Sequence, residues 1–160
     1  MLPALQPQLH LPPHAANKPY GDFQSFYSGL YKVEHRVDNN RYMHIAGTSL
    51  VLLMLLRFPG AALSLIAAGA LGIGIFPYTR HLPHGIAEAL AVVPVFVFLS
   101  YKLTNRLWVP LTVLLLGYGF AWFGHFFIQK NVPATFIYPT FSLMSDFRMF
   151  FDTVTNQWSV

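Results

Sequence analysis

GYGFAWFGHFFIQKNVPATFIYPTFSLMSDFRMFFD, residues 117–152, is the stretch that decides the fold of this chain. It begins as an apolar helix of the kind that crosses membranes, and this helix ends close to His125. A proline-bounded loop over residues 133–139 and a last helix over residues 142–154 are predicted to follow. A histidine at the end of an apolar helix raises the question of which other polar groups reach the same membrane surface.

The composition of the 160-residue chain indicates an integral membrane protein. The chain is 54% hydrophobic and 10% charged, whereas about 25% of the residues of an ordinary soluble domain are charged. The absence of cysteine excludes disulfides, thiolate metal sites and a cysteine nucleophile. The net charge of +4 comes without a basic run, so membrane phosphates explain it and nucleic acid is not an expected partner.

Four apolar stretches predict an all-α bundle of four transmembrane helices. They cover about residues 41–56, 60–78, 85–101 and 107–128. The first contains only fifteen uncharged residues in a row, which is about 22 Å of helix and requires a thinned bilayer or snorkelling ends. Small residues on one side of the second and fourth stretches predict close helix packing there.

Two amphipathic helices are predicted to lie in the membrane interface at the two ends of the bundle. The N-terminal one is capped by Asp22, and we expect its aromatic stripe at the level of the lipid headgroups. The C-terminal one carries an apolar stripe: Leu143, Met144, Phe147, Phe150, Phe151 and Val154. Residues 1–19 contain five of the twelve prolines and are predicted to be a disordered tail, which leaves residues 20–160 as one membrane-embedded domain.

Four crossings place every histidine outside the tail on one membrane side: His35, His44, His81, His84 and His125. Seven of the ten Lys and Arg residues share that side, so the positive-inside rule makes it cytoplasmic. A single histidine at a helix end is usually an interfacial hydrogen-bonding group, whereas five on one side suggest a metal site in the bundle. Nitrogen and carboxylate ligands without thiolate leave zinc, iron and manganese open, with Glu34 and Glu88 as ligands or as acceptors that orient an imidazole.

Two segments resemble the signatures of a known family. Residues 27–48, YSGLYKVEHRVDNNRYMHIAGT, contain an aromatic run, Glu-His, Asn-Arg and His-x-x-Gly-Thr. Residues 117–149 contain Gly-His, an aromatic pair, Lys-Asn-x-Pro-Ala-Thr-Phe and Ser-Leu-x-x-Asp-Phe-x-Met. Both segments resemble the Mpo-like family, long known as a domain of unknown function. Its best-known member is a fungal endoplasmic-reticulum protein that shortens 2-hydroxy fatty acids made from phytosphingosine.

The resemblance implies an iron(II)-dependent dioxygenase of fatty acid α-oxidation. Its substrates would be a long-chain 2-hydroxy fatty acid and O2, and its products the fatty acid one carbon shorter and CO2. The metal role is carried over to His35, His44 and His125, which fall on the family's recurrent histidines. His84 is added as a further metal ligand on topology alone.

Arg41 and Lys130 flank the same helix ends and are candidates for holding the substrate carboxylate, with lipid phosphate as the alternative partner of both. One departure from the family pattern concerns Gln129, since many members have Glu at this position and a carboxylate is therefore missing here.

Localisation and two other function classes complete the expectations. The metal site should face the cytoplasm, in the endoplasmic reticulum membrane of a eukaryote or the inner membrane of a bacterium, in contact with membrane lipids. A bis-histidine haem electron carrier, with His44 and His125 as axial ligands, stays open. So does a non-catalytic lipid-binding or scaffold protein, in which the histidines only meet headgroups.

Overall fold

The computed structural model describes residues 18–158, and the regular secondary structure of this part of the chain is all helix, without a strand. The predicted tail lies outside the described residues except for Lys18 and Pro19. Helix α1 covers residues 23–34 without a break, as Phe23–Phe26, the π-helical turn Tyr27–Tyr31, and Lys32–Glu34. The helices that follow are α2 (Asp38–Arg57), α3 (Pro59–Thr79), α4 (Ile86–Thr104), α5 (Trp108–Phe123, continued by the π-helical turn Gly124–Gln129) and, after the 3-10 turn Ala134–Phe136, α6 (Pro139–Val154).

Three helices in the described part of the chain are long and apolar enough to cross a membrane: α3, α4, and α5 together with its π-helical turn. Helix α2 has 20 residues, but its first turn is polar and contains Asp38 and Arg41. Large apolar side chains such as Leu56, Leu63 and Leu115 are exposed on the outside of the bundle. Apolar surface of this extent requires a lipid environment, so the fold is that of an all-α membrane protein.

Small residues bring the helices close together, as the sequence predicted. The backbone of Gly72 on α3 lies so near α6 that a Cβ there would overlap the Thr140 hydroxyl. On α5, a Cβ on Gly124 would overlap the side-chain oxygen of Asn40 at the beginning of α2. The second contact holds the N-terminal end of α2 beside the C-terminal end of α5.

The aromatic stripe of α1, which we expected at the level of the lipid headgroups, is buried against other helices of the bundle. Asp22 caps the helix as predicted, since its Oδ1 accepts the Ser25 N–H at 2.9 Å. The buried cluster that receives the stripe joins α1, the end of α3 and α6: Phe26, Tyr27, Tyr31, Phe76, Ala134, Tyr138, Phe141 and Met149. Aromatic side chains suit both an interface and a core, so spacing alone did not separate the two.

Helix α6 buries several residues outside its predicted apolar stripe and leaves the end of that stripe exposed. Ser142, Ser145 and Met149 are buried, whereas Phe151 and Val154 of the predicted apolar stripe are exposed. In lipid an apolar side chain has no need to turn inward, and small hydroxyl residues allow a close approach to neighbouring helices.

A buried ion pair fixes the beginning of α6. Lys18 Nζ lies 3.5 Å from Glu88 Oε2, and both side chains are almost fully buried. Glu88 Oε1 accepts the Thr140 N–H at 2.8 Å, which satisfies one of the free N–H groups at the N-terminus of α6. Burial lowers the pKa of Lys18, and the Glu88 carboxylate acts in the opposite direction. The pair therefore connects the chain before α1 with α4 and α6.

Candidate metal centre

Three of the predicted histidines come together at the end of the bundle where α1, α2 and α5 meet. His35 follows the last turn of α1, His44 lies in α2, and His125 lies in the π-helical turn that ends α5. They are 1%, 4% and 2% exposed. One ligand nitrogen from each lies within 4.8 Å of the other two, and no other group of three His, Asp or Glu side chains within residues 18–158 has this arrangement.

The π-helical turn Gly124–Gln129 determines how His125 is presented. A π-helical turn is rare and often marks a functional site, because it departs from the regular backbone pattern. The helix then ends at Lys130, which has a left-handed conformation with φ of 57°. The N–H of Asn131 donates to the His125 carbonyl at 3.1 Å, so the chain turns back and places the Asn131 side chain beside the imidazole.

Each of the three histidines has an oxygen acceptor beside its Nδ1 atom. These acceptors are the Tyr31 carbonyl for His35 (2.7 Å), the Asp146 carboxylate for His44 (2.8 Å) and the Asn131 amide oxygen for His125 (2.9 Å). A carbonyl or carboxylate oxygen only accepts, so the proton of each neutral imidazole is on Nδ1. All three Nε2 atoms therefore have a free lone pair.

The free lone pairs face one another inside the cluster. The Nε2 atoms of His35 and His44 are 3.2 Å apart, and the His125 ring centroid lies 4.8 Å and 5.0 Å from the other two ring centroids. Burial lowers the pKa of His35 well below its usual value, and the charges that His44 and His125 would carry act in the same direction. Neutral nitrogens at this distance repel each other unless a cation lies between them, so the donor set fits a bound metal ion.

The side chains that orient the histidines were not recognised from the sequence. Asp146 also accepts a short hydrogen bond from the Tyr31 hydroxyl, and the Tyr31 ring stacks on His35 with centroids 3.9 Å apart. A signal for Asp146 was present, because it is the aspartate of Ser-Leu-x-x-Asp. It lies off the apolar stripe predicted for this helix, and α6 turns it toward His44.

The other predicted site residues lie elsewhere. His84 is exposed in the loop between α3 and α4, as is His81, and the structure does not bring either to the cluster. Lys130 is exposed. Arg41 pairs with Asp38 at 2.6 Å and donates to the carbonyls of residues 35 and 36 at 3.3 Å. It supports the turn between α1 and α2, and neither Arg41 nor Lys130 lines the cavity beside the histidines.

Glu34 and Gln129 connect the segments that carry the histidines. Glu34 Oε2 accepts the Ala134 N–H at 3.1 Å, and burial raises the pKa of Glu34 to about 7. Gln129 donates a short hydrogen bond to the Glu34 carbonyl and accepts from Asn40 Nδ2 at 2.8 Å. An ionised glutamate at position 129 could not donate to that carbonyl. Neither Glu34 nor Glu88 belongs to the histidine group.

A cavity of about 90 Å³ begins at the histidine cluster and continues between the helices of the bundle. Its wall is mostly apolar, and the lining residue Trp122 is 38% exposed. Ser142 of α6 also lines it and is 7% exposed. The Ser142 hydroxyl has no hydrogen-bond partner among residues 18–158. A buried hydroxyl without a partner at the wall of a cavity is available to a ligand.

Comparison with known proteins agrees with this geometry. The family model described as "Mpo1-like: 2-hydroxy-palmitic acid dioxygenase Mpo1-like" matches residues 20–158, a range that includes the three histidines, Asp146 and Ser142. Neither the search of curated proteins nor the search of solved structures gives a match.

Proposed function

Because the chain belongs to the Mpo1-like family, we propose that it is a membrane-bound, iron(II)-dependent dioxygenase of fatty acid α-oxidation. A long-chain 2-hydroxy fatty acid and O2 would give the fatty acid one carbon shorter, CO2 and water. The observation that carries this proposal is the convergence of three buried histidines with every Nδ1 proton directed outward to an oxygen.

The histidines and their acceptors have separate roles in this proposal. His35, His44 and His125 would hold iron(II), which supplies open positions for O2 and for the substrate's carboxylate and 2-hydroxyl. Asp146 keeps the proton of His44 on Nδ1 and makes the imidazole a stronger donor. Asn131 does the same for His125 with a neutral oxygen.

Polar and apolar parts of the substrate would bind to different parts of the cavity. The unpartnered Ser142 hydroxyl is on the face of α6 that also carries Asp146, four residues further on. We assign it the role of donating a hydrogen bond to the substrate's carboxylate or 2-hydroxyl. The apolar remainder of the cavity receives the acyl chain.

The other function classes fit the geometry less well. A haem between His44 and His125 needs a slot for a flat macrocycle, but the ring centroids of these two are 5.0 Å apart and His35 fills the adjacent space. A scaffold protein whose histidines meet lipid headgroups would expose them, whereas all three are buried.

A fourth crossing by α2 is part of the proposal. Its N-terminal part carries His44, and the Phe58 ring that follows its C-terminus contacts Trp108 at the opposite end of the bundle, with centroids 5.3 Å apart. Four crossings and the excess of basic residues beside the histidines support a metal site that faces the cytoplasm. The membrane would be that of the endoplasmic reticulum in a eukaryote or the inner membrane in a bacterium.

The test is turnover by the purified protein, freed of metal and then loaded with iron(II) under anaerobic conditions. Adding 2-hydroxypalmitic acid and air should give pentadecanoic acid by mass spectrometry, and zinc-loaded protein should give none. Replacing any one of the three histidines by alanine should release the bound iron and lower the turnover rate at least a hundredfold. The variants are His35→Ala, His44→Ala and His125→Ala. His84→Ala is the matched control and should keep the bound iron and the wild-type turnover rate. Protein with stoichiometric iron and no shortened acid would rule the proposal out.

A further inference from the structure

The cavity below the histidines runs along one face of α5. Ala121, Gly117, Leu114 and Val113 line it, and they precede His125 by four, eight, eleven and twelve residues, spacings that keep side chains on one side of a helix. Val113 precedes His125 by twelve residues, which is about 18 Å along a helix. The cavity therefore penetrates from the metal centre deep into the apolar part of the bundle.

The far end of the cavity is closed by the packed core of the bundle. Leu65, Phe96 and Val113, from three different helices, line this end. Phe96 and Val113 are buried in one cluster, against which Leu65 packs. No lining residue on α5 lies further from His125 than Val113. A straight ligand that starts at the histidines would meet these side chains with its other end.

Between this end and the histidines the wall of the cavity is mostly apolar, and Val51, Val92 and Leu114 from three different helices are among its lining residues. The polar groups are at the other end, where the histidines, Asp146 and Ser142 are. One polar end and a long apolar remainder match a ligand with a polar head and an acyl chain.

We infer that this cavity binds the single acyl chain of the substrate with its methyl end at Val113 and Leu65, and that these two side chains set the longest chain accepted. The inference rests on the proposed function, because it takes the substrate's head to lie at the histidines.

The test measures binding of unbranched 2-hydroxy acids with 10 to 20 carbons to zinc-loaded protein, by displacement of radiolabelled 2-hydroxypalmitic acid. Val113→Phe fills the far end and should shift the length limit down by about two carbons. Acids at the limit should then bind about fifteenfold more weakly, at about fourfold per excluded methylene group. The shortest acids should bind within twofold of their affinity for the wild-type protein.

Two further variants keep the test decisive. Val113→Ala enlarges the far end and should shift the limit upward, a gain that damage to the fold would not produce. Leu115→Phe adds the same aromatic ring on the lipid-facing side of α5, where Leu115 is 72% exposed, and should leave the length profile unchanged.

The outcomes separate the inference from the proposed function. Binding uses no turnover, so a wild-type length limit that moves with Val113 supports the inference even if no shortened acid is ever formed. A length profile that neither Val113 variant shifts, in an enzyme that does shorten 2-hydroxy acids, would overturn the inference and leave the function standing.

Discussion

Asp146 offers the sharpest test of the metal centre, because it touches a ligand without being one. Its Oδ1 lies 2.8 Å from His44 Nδ1, and its side chain is 23% exposed, so the hydrogen bond is charge-assisted and only partly screened. Such a bond contributes about 1.5–3 kcal/mol. This agrees with the 10- to 100-fold loss of metal affinity, about 1.4–2.8 kcal/mol, that follows removal of an acceptor behind a metal-binding histidine.

Two substitutions divide this effect between charge and hydrogen bond. Asp146→Asn keeps an oxygen that accepts from Nδ1 but removes the charge, so metal affinity should fall about tenfold. Asp146→Ala removes the acceptor, which allows the His44 proton to move to Nε2 and takes that lone pair out of the site. Affinity should then fall about a hundredfold, at the upper end of the range.

The assay is anaerobic competition for iron(II) or cobalt(II) against a chromophoric chelator. Asp152→Asn is the control, because Asp152 is on the same helix and also accepts a tyrosine hydroxyl, from Tyr27 at 2.7 Å, but it is not the acceptor of any of the three clustered histidines. It should bind metal like the wild type. The reasoning is refuted if Asp146→Ala keeps wild-type affinity, or if Asp152→Asn loses as much.

Three further predictions follow from single contacts. Ser142→Ala should weaken binding of 2-hydroxypalmitic acid about tenfold. Ser145→Ala should leave this binding unchanged, because Ser145 is also buried and unpartnered among residues 18–158 but does not line the cavity. Equal losses of binding in the two variants would contradict the role of Ser142. Gly124→Ala should destabilise the fold by about 1–3 kcal/mol and weaken metal binding, because its Cβ would overlap the Asn40 side chain at the start of α2. Gly119→Ala should be tolerated, because its Cβ would meet only one atom, at 3.9 Å. Thermal unfolding with and without metal measures both effects. Lys18→Met leaves the buried Glu88 carboxylate without its cation and should lower the free energy of unfolding by about 3–5 kcal/mol. An unchanged midpoint of thermal unfolding would show that the Lys18–Glu88 pair does not hold α6 in place.

Much of the fold followed from patterns local in the sequence. The four apolar stretches are all helices, and their bounds differ from prediction by at most three residues. Close packing at Gly72 and Gly124 also followed, because a residue without a side chain on a membrane helix admits a neighbour. The short distance between His35, His44 and His125 was expected from the number of crossings and from the family resemblance, since both put these residues at the same end of the bundle.

The orientation of each helix about its own axis could not be predicted in the same way. In water, the apolar face of a helix is the buried face, so sequence periodicity gives the orientation. In lipid the outside is also apolar, so the apolar stripe of α6 does not tell which face is buried: Phe151 of the stripe is exposed, and Ser142 outside it is buried.

The sequence by itself determined an all-α membrane protein with histidines gathered at one end, because hydropathy and the number of crossings are properties of the chain. Only the tertiary structure decided which polar groups meet. It brought Asp146 and Asn131 behind two of the histidines, left His84 in an exposed loop, and turned Arg41 to Asp38. The contact of Asp146 with His44, 102 positions away, depends on how the helices rotate and pack against each other, and small-residue contacts such as that of Gly124 with Asn40 fix this packing.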